Sequence, residues 1–314
     1  MDFSVVICTY NRVSSLGKTL ESLSQMSVPS DLKWEVLVID NNSTDTTRQQ
    51  VATFIERSRL NMRYIFEPRT GKSFALNTGI AEAKGHIVAF TDDDVQVTAE
   101  WLQELAVTFR EFDCIGVGGR SIPVWNGLRR PDWLVTVGPH RLSSGPILDF
   151  DFGDEAEPLP VSPWGLNMAF RRLAFEKYGL FRTDLGPSGS RRILAEDTEF
   201  GRRLIRSGEK IIYSPKAAVF HPVGRERITR KYFLSAYFNL GRAEIREEGC
   251  PSEAVLWFGV PRFMFRSLIA SSAHWLFSFN ARQRFYHKAQ VHRSLGQIVE
   301  AHKLTAETSV ARTV

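Results

Sequence analysis

Residues 88–96 read VAFTDDDVQ, and the fold turns on how this stretch is read. Val88 to Phe90 is a continuous apolar run, and it leads into three adjacent carboxylates, Asp92, Asp93 and Asp94. A strand apolar at successive positions is buried on both faces, as in a parallel sheet covered by helices on each side. Carboxylates crowded at its end repel one another, so a cation must offset them.

The same signature recurs on either side. FSVVICT (3–9), WEVLVID (34–40), MRYIF (62–66), HIVAF (86–90) and CIGVGG (114–119) are short strand-type runs. Between them, SSLGKTLESLSQM, TDTTRQQVATFIERS, KSFALNTGIAEA and TAEWLQELAVTFREF carry helical spacing. This alternation predicts an α/β domain with a Rossmann-like, mostly parallel sheet. The rhythm breaks after Arg120, and residues 121–163, rich in Pro, Gly and Trp, read as long loops with short strands. Loops this long in a compact domain usually have a function. A helix returns at AEDTEFGRRLIRSG, followed by the strands KIIYS and AAVFH, and from Thr229 onward the signals are all helical. The expected division is one domain over 1–225, in two parts (1–120 and 121–225), then a helical extension over 226–314.

With 314 residues, 43% of them hydrophobic, the chain can bury a sizeable core. It opens directly on the strand pattern MDFSVVICTYNR, without the basic region and cleavage site of a signal peptide. Cys8, Cys114 and Cys250 are too widely spaced for a disulfide framework or a zinc site. Free thiols in the cytoplasm are expected, with peripheral attachment to the cytoplasmic face of the inner membrane left open. From Arg225 onward there are 14 Lys and Arg against 7 Asp and Glu. These basic residues alternate with large apolar ones, which points to an anionic membrane surface and away from nucleic acid. The segment WFGVPRFMFRSLIASSAHWLFSF (257–279) nears the length of a bilayer span, but Arg262, Arg266 and His274 interrupt it. An interfacial helix is the expected form, and packing against the domain over 1–225 is the alternative.

Ligands of open α/β sheets bind beyond the carboxyl ends of the strands. Those ends carry CTYNR, IDNNSTD, TDDD and VFHP, which gathers Thr9, Tyr10, Arg12, Asp40, Asp92, Asp93, Asp94 and His221. Carboxylates with an imidazole suit Mg²⁺ or Mn²⁺, and such an ion with open positions serves a phosphate-bearing substrate. Two phosphate-loop lookalikes are incomplete: FEPRTGKS has Phe66 at its first glycine position, and GVGGRS has Ser121 at its last. Arg69 and Lys72 remain candidates for phosphate oxygens. Structural readings stand beside these: Asp40 as a helix cap, Asp197 favoured by the helix dipole, Trp164 as packing.

In order and spacing, VVICTYNR, VIDNNSTD, GKSFALNTGI, FTDDDV, WGLNMAFRR, AEDTEF and HPVGRERITR together resemble the family 2 glycosyltransferases of GT-A fold, over roughly the first two-thirds of the chain. The resemblance implies a nucleotide-diphosphate sugar donor, Mn²⁺ or Mg²⁺, and inverting transfer to a hydroxyl. It makes 1–225 the catalytic domain, with 1–120 its nucleotide-binding half and 121–225 its acceptor half. It assigns Thr9, Tyr10 and Asp40 to the base and ribose, with Arg12, Lys72, Asn77, Asp92 and Asp93 also on the donor. Asp92 and Asp94 correspond to the Asp-x-Asp motif whose metal grips the diphosphate, and His221 to a late histidine that meets the metal. Trp164, Gly165 and Asn167 fall near the acceptor and the donor sugar. Glu196 and Asp197 correspond to the acidic pair before a helix, with Asp197 as the base. The loop GPSGSRR (186–192) would close over the donor. One departure stands out. The usual Arg-Asn-x-Gly reads Leu76-Asn77-Thr78-Gly79, so the arginine's task falls to Lys72 or Arg69. The multiple membrane spans of processive synthases are missing, which implies single additions to a cell-surface glycan or lipid-linked acceptor. The rival readings are a sugar nucleotidyltransferase, which would carry a Gly-rich basic loop where CTYNRVSS stands, and a non-catalytic sugar- or membrane-binding scaffold.

Overall fold

Strand β1 (Phe3–Thr9) feeds two cores at once: Phe3, Val5 and Ile7 enter one, and Val6 enters the other. The period of two in a strand makes this unavoidable once both faces are covered. The computed structural model describes residues 1–188, 191–193, 195–251 and 253–311. Gly189, Ser190 and the side chains of 191–194, part of the expected closing loop, lie outside the described residues.

The alternation read from sequence is present. Helices α1 (Val13–Ser24), α2 (Thr47–Arg57) and α3 (Lys72–Glu82) alternate with β2 (Trp34–Asp40), β3 (Met62–Phe66) and β4 (Ile87–Asp92). Then come β5 (Gln96–Val97), α4 (Trp101–Glu111), β6 (Gly116–Val124), β7 (Asn167–Arg171) and α5 (Arg172–Tyr178). The short strands β8 (Gly186–Ser188) and β9 (Arg191–Ile193) precede α6 (Glu196–Arg206) and β10 (Ile211–Pro222). The main sheet has eight strands in the order β3-β2-β1-β4-β7-β6-β10-β5. Strands β3, β2, β1 and β4 run parallel, whereas β7 is antiparallel to both β4 and β6. Each fully buried large apolar side chain, such as Phe90 or Phe170, contributes about 1.5–3 kcal/mol.

Three features depart from the sequence reading. Strand β7 was not expected inside WGLNMAFRR, although Met168 and Phe170 face one core and Ala169 the other. KIIYS and AAVFH form one strand, β10, with an irregularity between Ser214 and Val219. The C-terminal part is not wholly helical, because β11 (Leu256–Trp257) and β12 (Val260–Pro261) form a hairpin.

The chain packs as two compact units: residues 1–124, 148–190 and 196–222, and residues 125–147, 191–195 and 223–314. In the second, α7 (Arg230–Glu248), α8 (Arg262–Phe277) and α9 (Ala281–Ala311) are joined by the long loop. Its Leu134, Leu142 and Ile147 pack with Phe233, Tyr237 and Phe285, and Trp133 meets Phe233 and Phe285 edge-on. Helices α7 and α9 cross backbone to backbone: a methyl at Gly241 would overlap the Arg293 carbonyl, and one at Gly296 the Phe238 carbonyl. Only glycine permits that approach.

Away from the strand carboxyl ends, buried Glu35 ties three strands. It accepts from Ser4 Oγ (2.7 Å), the Lys84 N–H (2.8 Å) and Arg63 Nε (3.2 Å). Burial opposes its charge, but Ser4, Lys84 and Arg63 outweigh this and lower its pKa from 4.5. A depressed carboxyl contributes stability above its unfolded pKa and loses it as pH falls through the folded value. Glu35→Gln should therefore lower stability at pH 7 by about 1–3 kcal/mol and flatten the wild-type decline in acid below about pH 4.5, measured by urea unfolding across pH.

Candidate active site

Asparagines shape the rim of the site. Asn11, in TYNR, takes φ 52°, a left-handed conformation that Asn tolerates better than most residues. Its Oδ1 accepts from the Thr44 N–H (2.7 Å) and the Asp45 N–H (3.2 Å), binding the loop after β1 to the loop after β2. Asn41 continues the stitching, with Oδ1 accepting the Gly71 N–H (2.8 Å) and Nδ2 donating to the carbonyls of Glu67 and Arg69. Three strand-end loops are thereby held as one surface.

The sheet register aligns the functional side chains on that surface. Thr9 pairs with Asp40 across β1 and β2, and Cys8 with Asp92 across β1 and β4. Each of the three aspartates finds a positive or hydrogen-bonding partner. Lys72 Nζ donates to Asp92 Oδ1 at 2.8 Å. Thr9 Oγ1 donates to Asp93 Oδ2 at 2.7 Å, and Arg12 reaches both Asp93 Oδ1 (3.3 Å) and Asp94 Oδ2 (2.5 Å). His221 Nε2 lies 3.4 Å from Asp94 Oδ1. Burial dominates at Asp93 and raises its pKa to about 6. At Asp94 burial also opposes ionisation, but His221 and Arg12 outweigh it and hold the carboxyl well below the usual range. Lys72 is likewise opposed by burial, and Asp92, Glu196 and Asp197 overcome this to raise its pKa well above 10.5.

His221 is 2% exposed, and neither ring nitrogen has a hydrogen-bond partner. A buried imidazole left in that condition is unfavourable by itself. The Asp94 carboxylate lies beside it. Among the described residues, no cluster of three or more His, Cys, Asp and Glu could hold a metal. Asp94 and His221 are two groups of the kind that could hold a divalent cation. Asp92, expected to share the metal, accepts from Lys72 Nζ at Oδ1.

On the far side of Lys72 lies the acidic pair. Glu196 is buried, with Oε1 3.7 Å from Lys72 Nζ. Asp197 is half-buried; its Oδ2 accepts the Gly165 N–H at 2.6 Å and its Oδ1 the Thr198 N–H at 2.7 Å. A side chain at Gly165 would stand 3.1 Å from Asp197 Oδ2 and 3.4 Å from Lys72 Nζ, so glycine keeps this gap open.

Several expected site residues belong to the framework. Asn77 exchanges two hydrogen bonds with the Phe181 backbone. Asn167 donates to the carbonyls of Arg120 and Ala217 and accepts from Trp101 Nε1. Trp164 packs on Phe150, with ring centroids 4.9 Å apart. Arg69 is clamped to buried Glu67 through its backbone N–H, Nε and NH2, and lies over Phe74. Of the two candidates for the missing arginine's task, only Lys72 reaches the strand-end carboxylates. Tyr10 is 51% exposed at the end of β1, while Asp40 is buried and accepts from Ser43 N–H (2.9 Å) and Tyr64 Oη (2.6 Å).

Residues 4–179 match the family described as "Glycosyl transferase family 2". The chain belongs to glycosyltransferase family 2. It is 28% identical to the succinoglycan biosynthesis protein ExoM of Rhizobium meliloti, over 78% of this chain and 75% of ExoM. It is 30% identical to the glucosyl-dolichyl phosphate glucuronosyltransferase of Haloferax volcanii, over 70% of this chain and 69% of that protein. Among solved structures, the mannosyltransferase PcManGT of Pyrobaculum calidifontis, in complex with GDP-Man and Mn²⁺, superposes with TM-score 0.56 at 20% identity, over 99% of this chain and 78% of its own. S. aureus TarS 1-349, in complex with UDP-GlcNAc, gives TM-score 0.55 at 18% identity, over 97% and 92%. The fold is GT-A, and the protein is a glycosyltransferase.

Sequence reasoning overlooked one group in this family 2 site. Tyr64, which orients Asp40, sits two positions before the end of β3, and strand periodicity was the only signal for it. Arg12 was expected on the nucleotide, yet here it supplies the standing counter-charge of Asp93 and Asp94. Half-exposed pairs of this kind contribute about 0–1 kcal/mol each. Arg12→Gln should lower the melting temperature by a few degrees at most without divalent cation. Millimolar Mn²⁺ should then raise the variant's melting temperature more than the wild type's, because Arg12 no longer competes for Asp94. Equal shifts in both proteins would remove Asp94 from cation binding.

Proposed function

We propose that this glycosyltransferase moves a sugar from a nucleotide-diphosphate donor to a hydroxyl of a cell-surface glycan or lipid-linked acceptor, singly and with inversion at the anomeric carbon. The observation behind this reading is the convergence on Lys72 of the strand-end Asp92 and the helix-borne Glu196 and Asp197. Asp94, two residues on from Asp92, neighbours His221, and half-buried Asp197 is held by the Gly165 N–H. The names of ExoM and the Haloferax enzyme favour a glycan or lipid-linked acceptor. The GDP-Man and UDP-GlcNAc complexes of the structural relatives favour a nucleotide-sugar donor.

The donor would lie along the strand ends, its base and ribose towards Tyr10 and Asp40 and its diphosphate towards Arg12, Lys72 and Asp94. Asp94 and His221 would hold a divalent cation, Mn²⁺ or Mg²⁺, which when bound supplies positive charge to the departing diphosphate. Their chemistry fits such an ion, since the partnerless ring nitrogens of His221 face an acidic neighbour. Lys72 adds a fixed positive charge beside these carboxylates, where no solvent reorganisation is needed as charge develops. Asp197 accepts the acceptor's hydroxyl proton, the acceptor oxygen forms its bond to the anomeric carbon, and the bond to the diphosphate oxygen breaks on the opposite face. Glu196 is the buried neighbour that keeps Lys72 charged. The basic C-terminal unit would meet an anionic membrane, on the cytoplasmic face where an acceptor is assembled.

Asp197→Asn retains the shape of the side chain and removes the proton acceptor. Donor and Mn²⁺ affinity should persist, while turnover falls by about 10² or more. Calorimetry and a nucleotide-release assay read the two quantities separately. Full turnover in this variant, with Glu196→Gln inactive, would transfer the base to Glu196. Full turnover in both would end the single-base mechanism.

A further inference from the structure

The hairpin of the C-terminal unit contains a residue that neither turn chemistry nor core packing requires. Leu256 pairs with Pro261 and Trp257 with Val260, which leaves Phe258 and Gly259 as a two-residue loop. Both have positive φ, 52° and 74°. Turns of this type favour Asn, Asp or Gly at such positions, and a bulky residue there is strained. Phe258 accepts that strain with its ring 89% exposed. The tip is also braced from behind: Thr305 Oγ1 donates to the Gly259 carbonyl (2.7 Å), and His302 Nδ1 lies 3.0 Å from the Phe258 carbonyl oxygen. A strained, exposed and rigidly presented aromatic ring points to a partner that takes it up.

Helix α8 follows the hairpin directly and repeats the pattern. Met264 is its only buried residue, whereas Phe263, Ile269, Leu276 and Phe277 are exposed. Sixteen residues span about 24 Å, short of a bilayer's hydrocarbon core, and no helix among the described residues is long and apolar enough to cross a membrane. The charge pattern chooses the occupant. From Ala254 to Val299 there is no Asp or Glu, while Arg262, Arg266, Arg282, Arg284 and Lys288 are present and Arg293 pairs with Glu244. A second copy of this chain would bring like charge against like charge; an anionic bilayer offers both an apolar layer and the opposite sign.

We propose that the hairpin tip and the exposed side of α8 form a membrane-insertion surface. Trp257, Phe258 and Phe277 enter the boundary of the acyl chains, and Arg262 and Arg266 meet anionic headgroups. This rests on the membrane-facing reading above and adds the residues that penetrate.

Flotation of the full-length protein with vesicles tests it, comparing pure phosphatidylcholine with about 30% phosphatidylglycerol at near-physiological salt. Wild type should favour the anionic vesicles by about 10-fold or more. Phe258→Asn, a substitution that suits the turn, should keep or raise the melting temperature. It should lower partitioning by about 10-fold, the value of one buried aromatic side chain, and Phe277→Ser should do the same. Brominated acyl chains should quench fluorescence in wild type and less in Trp257→Phe. Wild type that ignores anionic vesicles at low salt would overturn both the insertion surface and the membrane reading. Salt-sensitive binding that Phe258→Asn and Phe277→Ser leave unchanged would overturn insertion alone, leaving adsorption by charge. A vesicle-independent dimer dissolved by these variants would assign the surface to a second copy and overturn the proposal. Donor-induced thermal shifts, which should persist in every variant, keep these outcomes separate from any failure of the glycosyltransferase reading.

Discussion

Three carboxylates at the end of one buried strand set the terms for the rest of the site. Two unit charges about 5 Å apart at an effective dielectric of about 20 repel by about 3 kcal/mol, so Asp92, Asp93 and Asp94 demand compensation. The fold gives each a different answer. Asp92 takes Lys72 from the start of α3, Asp93 takes Thr9 from β1, and Asp94 takes Arg12 with His221 from β10. These partners come from four segments, so compensation of the triplet also fixes how the strand-end loops sit. The asparagine stitches at Asn11 and Asn41 then hold those loops in register.

The three answers are not equivalent, and their difference is what chemistry can use. Lys72 is enclosed by Asp92, Glu196 and Asp197, and that setting makes its charge permanent. Arg12 is half-exposed and lies on Asp94 from the solvent side, so its contact is the exchangeable one. His221 is buried, with Nε2 3.4 Å from Asp94 Oδ1 as a charge neighbour and no hydrogen bond closed by either ring nitrogen. A permanent charge beside a replaceable one suits a substrate that brings its own anionic diphosphate.

The C-terminal unit follows a different logic. Its interior is ordinary, with aromatic contacts around Trp133 and a glycine crossing between α7 and α9. Its exposed hairpin and α8 keep apolar side chains where a water-facing surface would carry charged ones. Glu300, fully buried, gathers Arg242 and Arg246, and Glu307 also pairs with Arg246. The basic residues of 254–299 have no carboxylate within their own stretch of sequence.

Much of the catalytic unit was legible in the sequence, because its signals are local. Continuous apolar runs gave β1, β2 and β4, helical spacing gave α1 to α4, and the positions of Thr9, Asp40 and Asp92 at strand ends followed from those runs. What escaped was every choice of partner made at long range. Asn77 and Asn167 are indistinguishable in sequence from ligand-binding amides, yet the backbone of Phe181 and the carbonyls of Arg120 and Ala217 claim them. Arg69 and Lys72 looked equally able to take the missing arginine's task, until the buried Glu67 took Arg69. The antiparallel entry of β7 between β4 and β6 and the hairpin at Phe258 likewise required the assembled chain. Periodicity records which face of a residue is buried, and it is written within a few neighbours. Hydrogen-bond and charge partners depend on sheet register and loop closure between distant segments, which only the tertiary structure decides.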